Sequence, residues 1–204
     1  MFLAEYYYDH KIKGKEYYID EILKEFLFKE ILKYEGEYLY DKKWNGKGYD
    51  ENGNITYELK NGTGKVKEYD NNRKLEFEGE YLNGERKGKG KEYEHGKLKF
   101  VGEYLKGRRS GKGKEYFDEE LLFEGEYLNG KRNGKGKEYY INGKLRFEGE
   151  YLNGERHGKG KEYKDDNIIF EGEYLNGKRW NGKGKEYYNR NLIFEGEYIN
   201  GEKN

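Results

Sequence analysis

The fold class that the sequence predicts is all-β: an elongated, single-layer, twisted ribbon of antiparallel β-hairpins, with one hairpin in each repeat. Three observations predict it. A segment of the form FEGEYLNG returns every 23 or 24 residues, a second block of the form GKGKEYY lies between its copies, and turn-forming residues occupy both joints. One hairpin cannot bury its apolar face in water, so neighbouring hairpins must stack into a continuous ribbon.

Composition alone would place the chain among disordered proteins, because 40% of its 204 residues are charged and the mean hydropathy is -1.37. The aromatic content overrules that assignment. Aromatic residues make up 18% of the chain, and large rings favour collapse into a folded state. The chain is therefore expected to fold around its tyrosines and phenylalanines.

The first strand of each repeat starts at an aromatic residue, and the second strand starts at a Gly-x-Gly sequence. Regular copies of the first strand start at Phe77, Phe100, Phe123, Phe147, Phe170 and Phe194, and a divergent copy starts at Tyr34. Copies of the second strand start at Gly88, Gly111, Gly134, Gly158 and Gly182. This predicts an N-terminal cap or degenerate repeat over residues 1–33, divergent repeats over 34–76 and regular repeats over 77–204.

The strand register within a repeat can be counted from the second joint. Asn142-Gly143 suits a two-residue turn in which both residues have positive φ. Counting outward pairs Tyr140 with Leu145, Glu138 with Phe147, Lys137 with Glu148, Gly136 with Gly149, Lys135 with Glu150 and Gly134 with Tyr151. In the 23-residue repeats, keeping Gly90 opposite Gly102 requires a three-residue loop of His95, Gly96 and Lys97.

Alternation along these strands separates an aromatic face from a charged face. The aromatic face of one hairpin carries Leu145, Phe147, Gly149, Tyr151, Gly134, Gly136 and Tyr140. The other face carries two Lys–Glu pairs with Tyr139 and Arg146, and Glu138 is the one residue that does not fit the pattern. Glycine inside a strand indicates close approach of another group, and an aromatic ring is the expected occupant.

The segment before the repeats leaves two alternatives open. Residues 20–33, DEILKEFLFKEILK, space their apolar residues in a way that suits a helix face. A short N-terminal helix would cap the exposed end of the ribbon, and an irregular β-hairpin is the alternative.

The string FEGEYLNGKRNGKGK, from Phe123 to Lys137, closely resembles the MORN repeat, and the resemblance extends in phase over residues 34–201. The resemblance implies a twisted antiparallel β ribbon. It also implies a role in protein interaction, in dimerisation or in binding acidic phospholipid.

The residue inventory argues against an enzyme. Ser110 is the only serine, Thr56 and Thr63 are the only threonines, and cysteine is absent. The three histidines occupy unrelated positions, so neither a catalytic site nor a metal site nor a cofactor site is expected. Glutamate pairs such as Glu148 and Glu150 recur along the array, which is typical of a structural ladder.

Two surfaces are candidates for binding. The aromatic face is either the packed spine of the ribbon or a groove for a peptide or helix, and its residues are Phe77, Tyr81, Phe100, Tyr104, Phe123, Tyr127, Phe147, Tyr151, Phe170 and Tyr174. The basic residues of the first joint should line one rim, either as solvated turn residues or as a stripe for anionic lipid. They are Arg86, Lys87, Arg108, Arg109, Lys131, Arg132, Arg156, Lys178 and Arg179.

Function is expected to be a non-catalytic protein-interaction scaffold, with a protein or a second copy of the chain as partner. Peripheral binding of acidic phospholipid through the basic rim is the alternative. The 41 basic residues balance the 41 acidic ones, so no nucleic acid is expected as partner. The start of the sequence lacks the pattern of a signal peptide, which favours the cytoplasm, with the membrane surface as an additional location.

Overall fold

The computed structural model describes residues 2–6, 11–18 and 31–204, and every regular element in these ranges is a β-strand. The described chain divides into two compact units, with the boundary between Arg108 and Arg109. Consecutive strands pair antiparallel, with one interruption in the first unit. The all-β hairpin architecture predicted from the repeats is therefore confirmed.

The first unit contains two sets of consecutively paired strands. One set comprises β1 (Phe2–Tyr6), β2 (Lys11–Tyr18), β3 (Ile31–Leu39), β4 (Lys42–Tyr49) and β5 (Ile55–Leu59). The other comprises β6 (Gly64–Tyr69), β7 (Leu75–Leu82), β8 (Glu85–Glu94) and β9 (Lys97–Leu105).

The second unit continues the same pattern from β10 (Arg108–Phe117) onward. Its later strands are β11 (Glu120–Leu128), β12 (Lys131–Tyr139), β13 (Leu145–Leu152), β14 (Glu155–Lys164), β15 (Asn167–Leu175), β16 (Lys178–Tyr188), β17 (Asn191–Ile199) and β18 (Glu202–Lys203). Each of them pairs with the next.

The two alternatives for residues 20–33 fall mostly outside the described residues. Residues 31–33 belong to β3, while 20–30 are not described. The divergent copy at Tyr34 lies in the same strand, with Gly36 opposite Gly14. The domain boundaries at 33/34 and 76/77 stay predictions.

The first joint of each repeat is a two-residue turn in which both residues have positive φ. In one repeat these residues are Asn153 (φ 53°) and Gly154 (φ 100°), between the paired residues Leu152 and Glu155. The amide of Gly154 donates to the carbonyl of Arg132 in the preceding repeat, 2.9 Å away. The amides of Gly130, Gly177 and Gly201 donate equivalent hydrogen bonds of 2.8–2.9 Å to backbone carbonyls of the preceding repeat. These bonds hold successive first turns together.

At the second joint, the turn types of the two repeat lengths are the reverse of those predicted. The 24-residue repeat has the three-residue loop, and the 23-residue repeat has the two-residue turn. The Asn142-Gly143 joint is a three-residue loop, because the amide of Tyr140 donates to the carbonyl of Lys144 at 2.9 Å. Only Gly143 has a positive φ there, so Asn142 does not adopt the conformation that a two-residue primed turn requires. His95 (φ 53°) and Gly96 (φ 82°), in contrast, form such a turn.

A β-bulge explains why the register beyond the turn was nevertheless predicted correctly. Tyr139 lies opposite Leu145, not Tyr140 as predicted, and Glu138 lies opposite Phe147, so Arg146 is an extra residue. Lys99 is the extra residue of the 23-residue repeat. In both repeat lengths the bulge residue makes up for the one-residue difference between the predicted and the observed loop. The paired glycines therefore stay opposite each other.

The strand glycines make room for the phenylalanine rings, as expected. A Cβ added to Gly149 would lie 2.6 Å from Cζ of Phe147, and one added to Gly160 would lie 2.5 Å from the same atom. Gly149 and Gly160 are directly opposite each other. The Phe147 ring therefore occupies the space that two glycines from neighbouring strands leave open.

The hairpin of β5 and β6 is shorter and replaces this arrangement with aliphatic side chains. Leu59 and Val66 are 1% and 2% exposed. Val66 lies opposite Gly79, at a position that glycine holds in the regular repeats. This divergent hairpin thus fills its part of the core without a Phe-on-glycine contact.

Candidate functional site

The aromatic rings of the regular repeats form a spine on one face of the sheet, here called the inner face. Phe147 packs edge-on against Tyr151 of its own repeat, with ring centroids 5.6 Å apart, and against Tyr174 of the next, at 5.1 Å. Phe170 makes the same two contacts with Tyr174 and Tyr198. Phe147 and Phe170 therefore each link two successive repeats.

The spine is buried although no second sheet covers it in the described residues. Phe77, Phe100, Phe123, Phe147 and Phe170 are all 0% exposed. Four of the predicted tyrosines are also buried, namely Tyr104, Tyr127, Tyr151 and Tyr174, while Tyr81 is half-buried. Of the two alternatives for this face, the observed packing corresponds to the spine.

Arginine side chains form the cover. The guanidinium carbon of Arg156 lies 4.2 Å from the ring centroid of Phe147, and that of Arg132 lies 4.1 Å from the centroid of Phe123. Arg86 makes the same kind of contact with Phe77, and Arg179 makes it with Phe170. A partly desolvated guanidinium over an aromatic face is an attractive contact, and it also shields the ring from water.

Glutamates hold these arginines in place, and this accounts for Glu138. Its carboxylate accepts hydrogen bonds from the Tyr151 hydroxyl at 2.9 Å and from Arg156, and it lies 3.6 Å from a guanidinium nitrogen of Arg132. Its side chain is only 14% exposed. Glu138 is thus an inner-face residue whose charge two arginines neutralise.

The same contacts repeat along the second unit as an alternating row, the inner ladder. Its members in order are Arg109, Glu115, Arg132, Glu138, Arg156, Glu162 and Arg179, and each is ion-paired with the next. Partial burial strengthens such pairs because water screens them less.

A lysine takes the place of arginine in the first unit. The Nζ of Lys43 lies 3.2 Å from Glu16, 3.3 Å from Glu68 and 4.9 Å from the ring centroid of Tyr34. Burial alone would lower the pKa of Lys43, but the two carboxylates raise it above its usual value. Lys43 therefore stays charged, and it bridges Glu16 of β2 and Glu68 of β6.

The inner ladder makes the stability of the fold depend on pH. Burial opposes ionisation of Glu115 and Glu138, but their arginines and tyrosine hydroxyls outweigh it, so the pKa of each carboxyl lies below 4.5. A carboxyl whose pKa is lower in the folded state contributes stability above its unfolded pKa, and that contribution is lost as the pH falls.

We therefore expect the free energy of unfolding to hold between pH 7 and about 5 and to fall steadily below about 4.5. Urea titrations followed by far-UV circular dichroism between pH 2.5 and 7 measure this. Glu138→Gln should make the loss of stability at low pH less steep, because it removes one carboxyl whose pKa is lowered in the folded state. A profile that stays level down to pH 3 in the natural chain would contradict the prediction.

The predicted basic rim divides between the two faces. Arg86, Arg109, Arg132, Arg156 and Arg179 belong to the inner face, where they meet glutamates. Lys87, Arg108, Lys131 and Lys178 are exposed. A count from the first turn would have shown this, since a two-residue turn at Asn129-Gly130 puts Arg132 opposite the spine tyrosine Tyr127.

The opposite or outer face carries the predicted Lys–Glu ladder. Lys137 lies 3.6 Å from Glu148, and Lys161 lies 2.9 Å from Glu171. Tyrosines stand among these pairs, and Tyr163 donates to Glu148 at 2.7 Å. Burial and this bond raise the pKa of Tyr163 to about 12. Most of the outer face is thus polar and internally paired.

One edge of the outer face is apolar. Beside each first turn of the second unit, a cross-strand pair joins an aliphatic residue to a charged one, and we call these four pairs the outer row. They are Leu128 with Lys131, Leu152 with Glu155, Leu175 with Lys178, and Ile199 with Glu202. Leu128, Leu152 and Ile199 are 54%, 45% and 48% exposed, and Leu175 is half-buried.

The remaining candidate residues do not converge. His95 is exposed in a turn of the first unit, His157 is half-buried in the second unit, and His10 lies outside the described residues. Among the described residues, no group of three or more histidine or acidic side chains could hold a metal ion. In the same ranges, no helix is long and apolar enough to cross a membrane.

Counting repeats from phenylalanine missed one second strand at the N-terminus. Residues 13–18 read KGKEYY, as do residues 135–140, and Gly14 lies opposite Gly36. Glu16 occupies the position of Glu138, opposite an aromatic residue. The repeated string KGKEYY is the signal that would have found this strand and the glutamate that pairs with Lys43.

Comparison with known families agrees with this geometry. The family model of the MORN repeat matches residues 77–93, 100–119, 123–144 and 147–168. A search of curated proteins finds none that matches this chain. MORN repeats are in general modules of protein or membrane interaction. Four matches in tandem, each on a β-hairpin that carries a buried phenylalanine, identify residues 77–168 as MORN repeats and the chain as a MORN repeat protein.

Proposed function

We propose that this chain is a non-catalytic, cytoplasmic scaffold that binds proteins through its outer face. The observation that carries the proposal is the outer row, whose aliphatic side chains are exposed at three of its four first turns and half-buried at the fourth, Leu175. Aligned apolar side chains rimmed by charges are typical of protein-interaction surfaces.

The inner face supports the same proposal because its side chains are already paired with one another. Its rings are buried, and its arginines and glutamates satisfy one another along the inner ladder. A ligand entering this face would have to displace these ion pairs and leave charges uncompensated. The outer row can bind a partner without that cost.

Binding to anionic lipid has less support from the geometry. Five of the nine basic residues first assigned to the rim are held on the inner face. The exposed cations Lys131 and Lys178 are separated by Glu155, and Glu202 follows Lys178. Each cation near an anionic surface contributes about 1 kcal/mol, so an alternating row provides little net attraction.

A direct test combines affinity capture with cosedimentation. The immobilised chain is incubated with extract of its source cells, and bound proteins are identified by mass spectrometry. We expect partners that are retained by the natural chain and lost with Leu128→Ser/Leu152→Ser, but kept with Ile141→Ser. Ile141 is the matched control because it is 65% exposed in a second turn, away from the outer row.

Cosedimentation with phosphatidylserine vesicles tests the alternative, binding to anionic lipid. We expect no binding at physiological salt. Binding there that disappears in Arg108→Glu/Lys131→Glu/Lys178→Glu would overturn the protein scaffold in favour of a lipid module. These three sites are preferable to Arg109 and Arg132, whose reversal would break ion pairs with Glu115 and unfold the inner face.

A further inference from the structure

A cavity of about 320 Å³ lies in the first unit, beside the second joints of the β6–β7 and β8–β9 hairpins. Asp70, Glu76 and Tyr93 are among the residues that line it. Small-molecule sites in proteins have volumes of roughly 300–1,000 Å³, so this cavity suits a ligand with a single ring. It is separate from the outer row and has no part in the proposed scaffold function.

Asp70 holds the position that Tyr140 occupies in the second unit. The amide of Asp70 donates to the carbonyl of Lys74 at 2.8 Å, as part of a three-residue loop. The amide of Tyr140 donates to the carbonyl of Lys144 at 2.9 Å in a loop of the same length. The strand pairs beside the two loops also correspond, so Asp70 is the shorter, acidic counterpart of a tyrosine.

The hydroxyl of Tyr140 reaches the next repeat, where it donates to the carbonyl of Tyr163 at 3.0 Å. Tyr93 is the equivalent of Tyr163, because each follows the glutamate that lies opposite a spine phenylalanine. Asp70 and Tyr93 both line the cavity. The cavity therefore occupies the space through which a tyrosine ring would extend from one repeat to the next.

Tyr18 in the first unit shows what fills this space. Its side chain is 4% exposed, and its hydroxyl donates to the carbonyl of Tyr49 at 2.9 Å. A cation accompanies the ring in both filled copies. The Nζ of Lys33 lies 5.6 Å from the ring centroid of Tyr18, and the guanidinium carbon of Arg146 lies 5.7 Å from that of Tyr140. A filled copy thus holds a phenol and a positive charge.

The open copy carries carboxylates in place of both groups. Asp70 replaces the tyrosine, and Glu76 is the bulge residue of its hairpin, as Arg146 is in the second unit. Asp50 shows that the aspartate alone does not produce this site. It holds the same loop position in the β4–β5 hairpin, where the bulge residue is Thr56. The combination of Asp70, Glu76 and a cavity distinguishes the open copy.

The basic residues of the cavity wall are already engaged. Arg86 lies 3.3 Å from Glu92, and Lys99 lies 2.7 Å from Glu94. These pairs compensate the other two carboxylates of the wall, so Asp70 and Glu76 give the cavity a net negative charge. A cationic ligand is attracted by this charge and displaces neither ion pair.

We propose that this cavity binds a phenol that carries a protonated amine, the chemical class of tyramine. The ring of the ligand takes the place of the tyrosine ring, and its hydroxyl donates to the carbonyl of Tyr93. The ammonium lies between the carboxylates of Asp70 and Glu76, where its hydrogen bonds are charge-assisted. Such a ligand restores both groups of the filled copies, the phenol and the cation.

Isothermal titration calorimetry with tyramine measures the binding, and we expect a Kd between about 10 μM and 1 mM for a ligand of this size. Phenethylamine lacks the hydroxyl, and phloretic acid has a carboxylate in place of the amine. Both should bind about 10-fold more weakly or less tightly still. The N-terminal tyrosine of a peptide shares this chemistry, so titration of the tripeptide Tyr-Gly-Gly shows whether a free amine or a peptide is the better ligand.

Two variants test the position of the ligand. Asp70→Tyr restores the side chain of the filled copies, so it should abolish tyramine binding and raise the urea midpoint, as cavity filling does. Glu76→Gln leaves the cavity open and should weaken tyramine about 5-fold while the affinity for neutral p-cresol stays the same. Glu155→Gln, which changes an exposed carboxylate of the second unit, is the matched control and should bind tyramine as the natural chain does.

The inference would be overturned by a natural chain that binds no tyramine at concentrations up to about 5 mM. It would also be overturned if Asp70→Tyr retained binding or had a lower urea midpoint than the natural chain, since the ring would then not fit this space. Equal affinities for tyramine and phloretic acid, or equal effects of Glu76→Gln on tyramine and p-cresol, would refute the role of the two carboxylates.

Discussion

Phe147→Ala is expected to lower the free energy of unfolding by about 4 kcal/mol, the upper range for deleting a buried aromatic ring. The ring is 0% exposed and contacts Tyr151, Tyr174 and the guanidinium of Arg156. Its floor is Gly149 and Gly160, which have no side chains to move into the space. The cavity would therefore stay largely open.

The loss should also weaken the coupling between repeats, because Phe147 links its own repeat to the next. Urea unfolding followed by circular dichroism and by tryptophan fluorescence measures both effects, since the fluorescence reports Trp44 in the first unit and Trp180 in the repeat after Phe147. Phe117→Ala is the matched control, since Phe117 is 57% exposed, and its effect should stay within about 0.5 kcal/mol. Similar midpoints for the two variants would show that the spine is not the main core.

The positions of the strands could be predicted from the sequence because the repeat imposes them. Gly136 opposite Gly149 followed from counting, even though the turn was assigned wrongly. The count succeeded because the β-bulge at Arg146 offsets the longer loop by one residue. A β-bulge cannot be recognised from the alternation of polar and apolar residues. Counting residues therefore could not distinguish a two-residue turn from a three-residue loop with a bulge.

Which face each arginine occupies was harder to predict than where the strands lie. Arg132 and Arg156 sit among charged residues in the sequence, and charge in a turn usually means solvation. Their inward position depends on pairing with Tyr127 and Tyr151, and on a guanidinium long enough to reach the phenylalanine of the paired strand. Counting from the first turn gives the pairing, but the stacking distance comes only from the packed structure.

The outer row illustrates the remaining limit. The sequence contains its charges, but repeats are recognised by what their copies share, and the outer row is a position at which the copies differ. Lys131, Glu155, Lys178 and Glu202 occupy one equivalent position and alternate in sign. Their exposure and lack of ion pairs within the described chain required the structure.

Glu138→Gln is expected to lower the free energy of unfolding by about 2 to 3 kcal/mol, somewhat less than the loss of a fully buried ion-pair partner. The change keeps the shape of the side chain and removes its charge, so Arg132 and Arg156 lose a shared counterion. The loss is partial because Arg132 keeps Glu115 and Arg156 keeps Glu162, 3.7 Å away.

Glu171→Gln provides the comparison for this prediction. Glu171 pairs with Lys161 at 2.9 Å on the outer face, but its side chain is 58% exposed. Water screens that pair, and removing it should change stability by no more than about 0.5 kcal/mol. Urea midpoints at pH 7 distinguish the two variants. Equal effects would mean that the inner ladder lies in solvent like the outer one and does not hold the arginines over the aromatic spine.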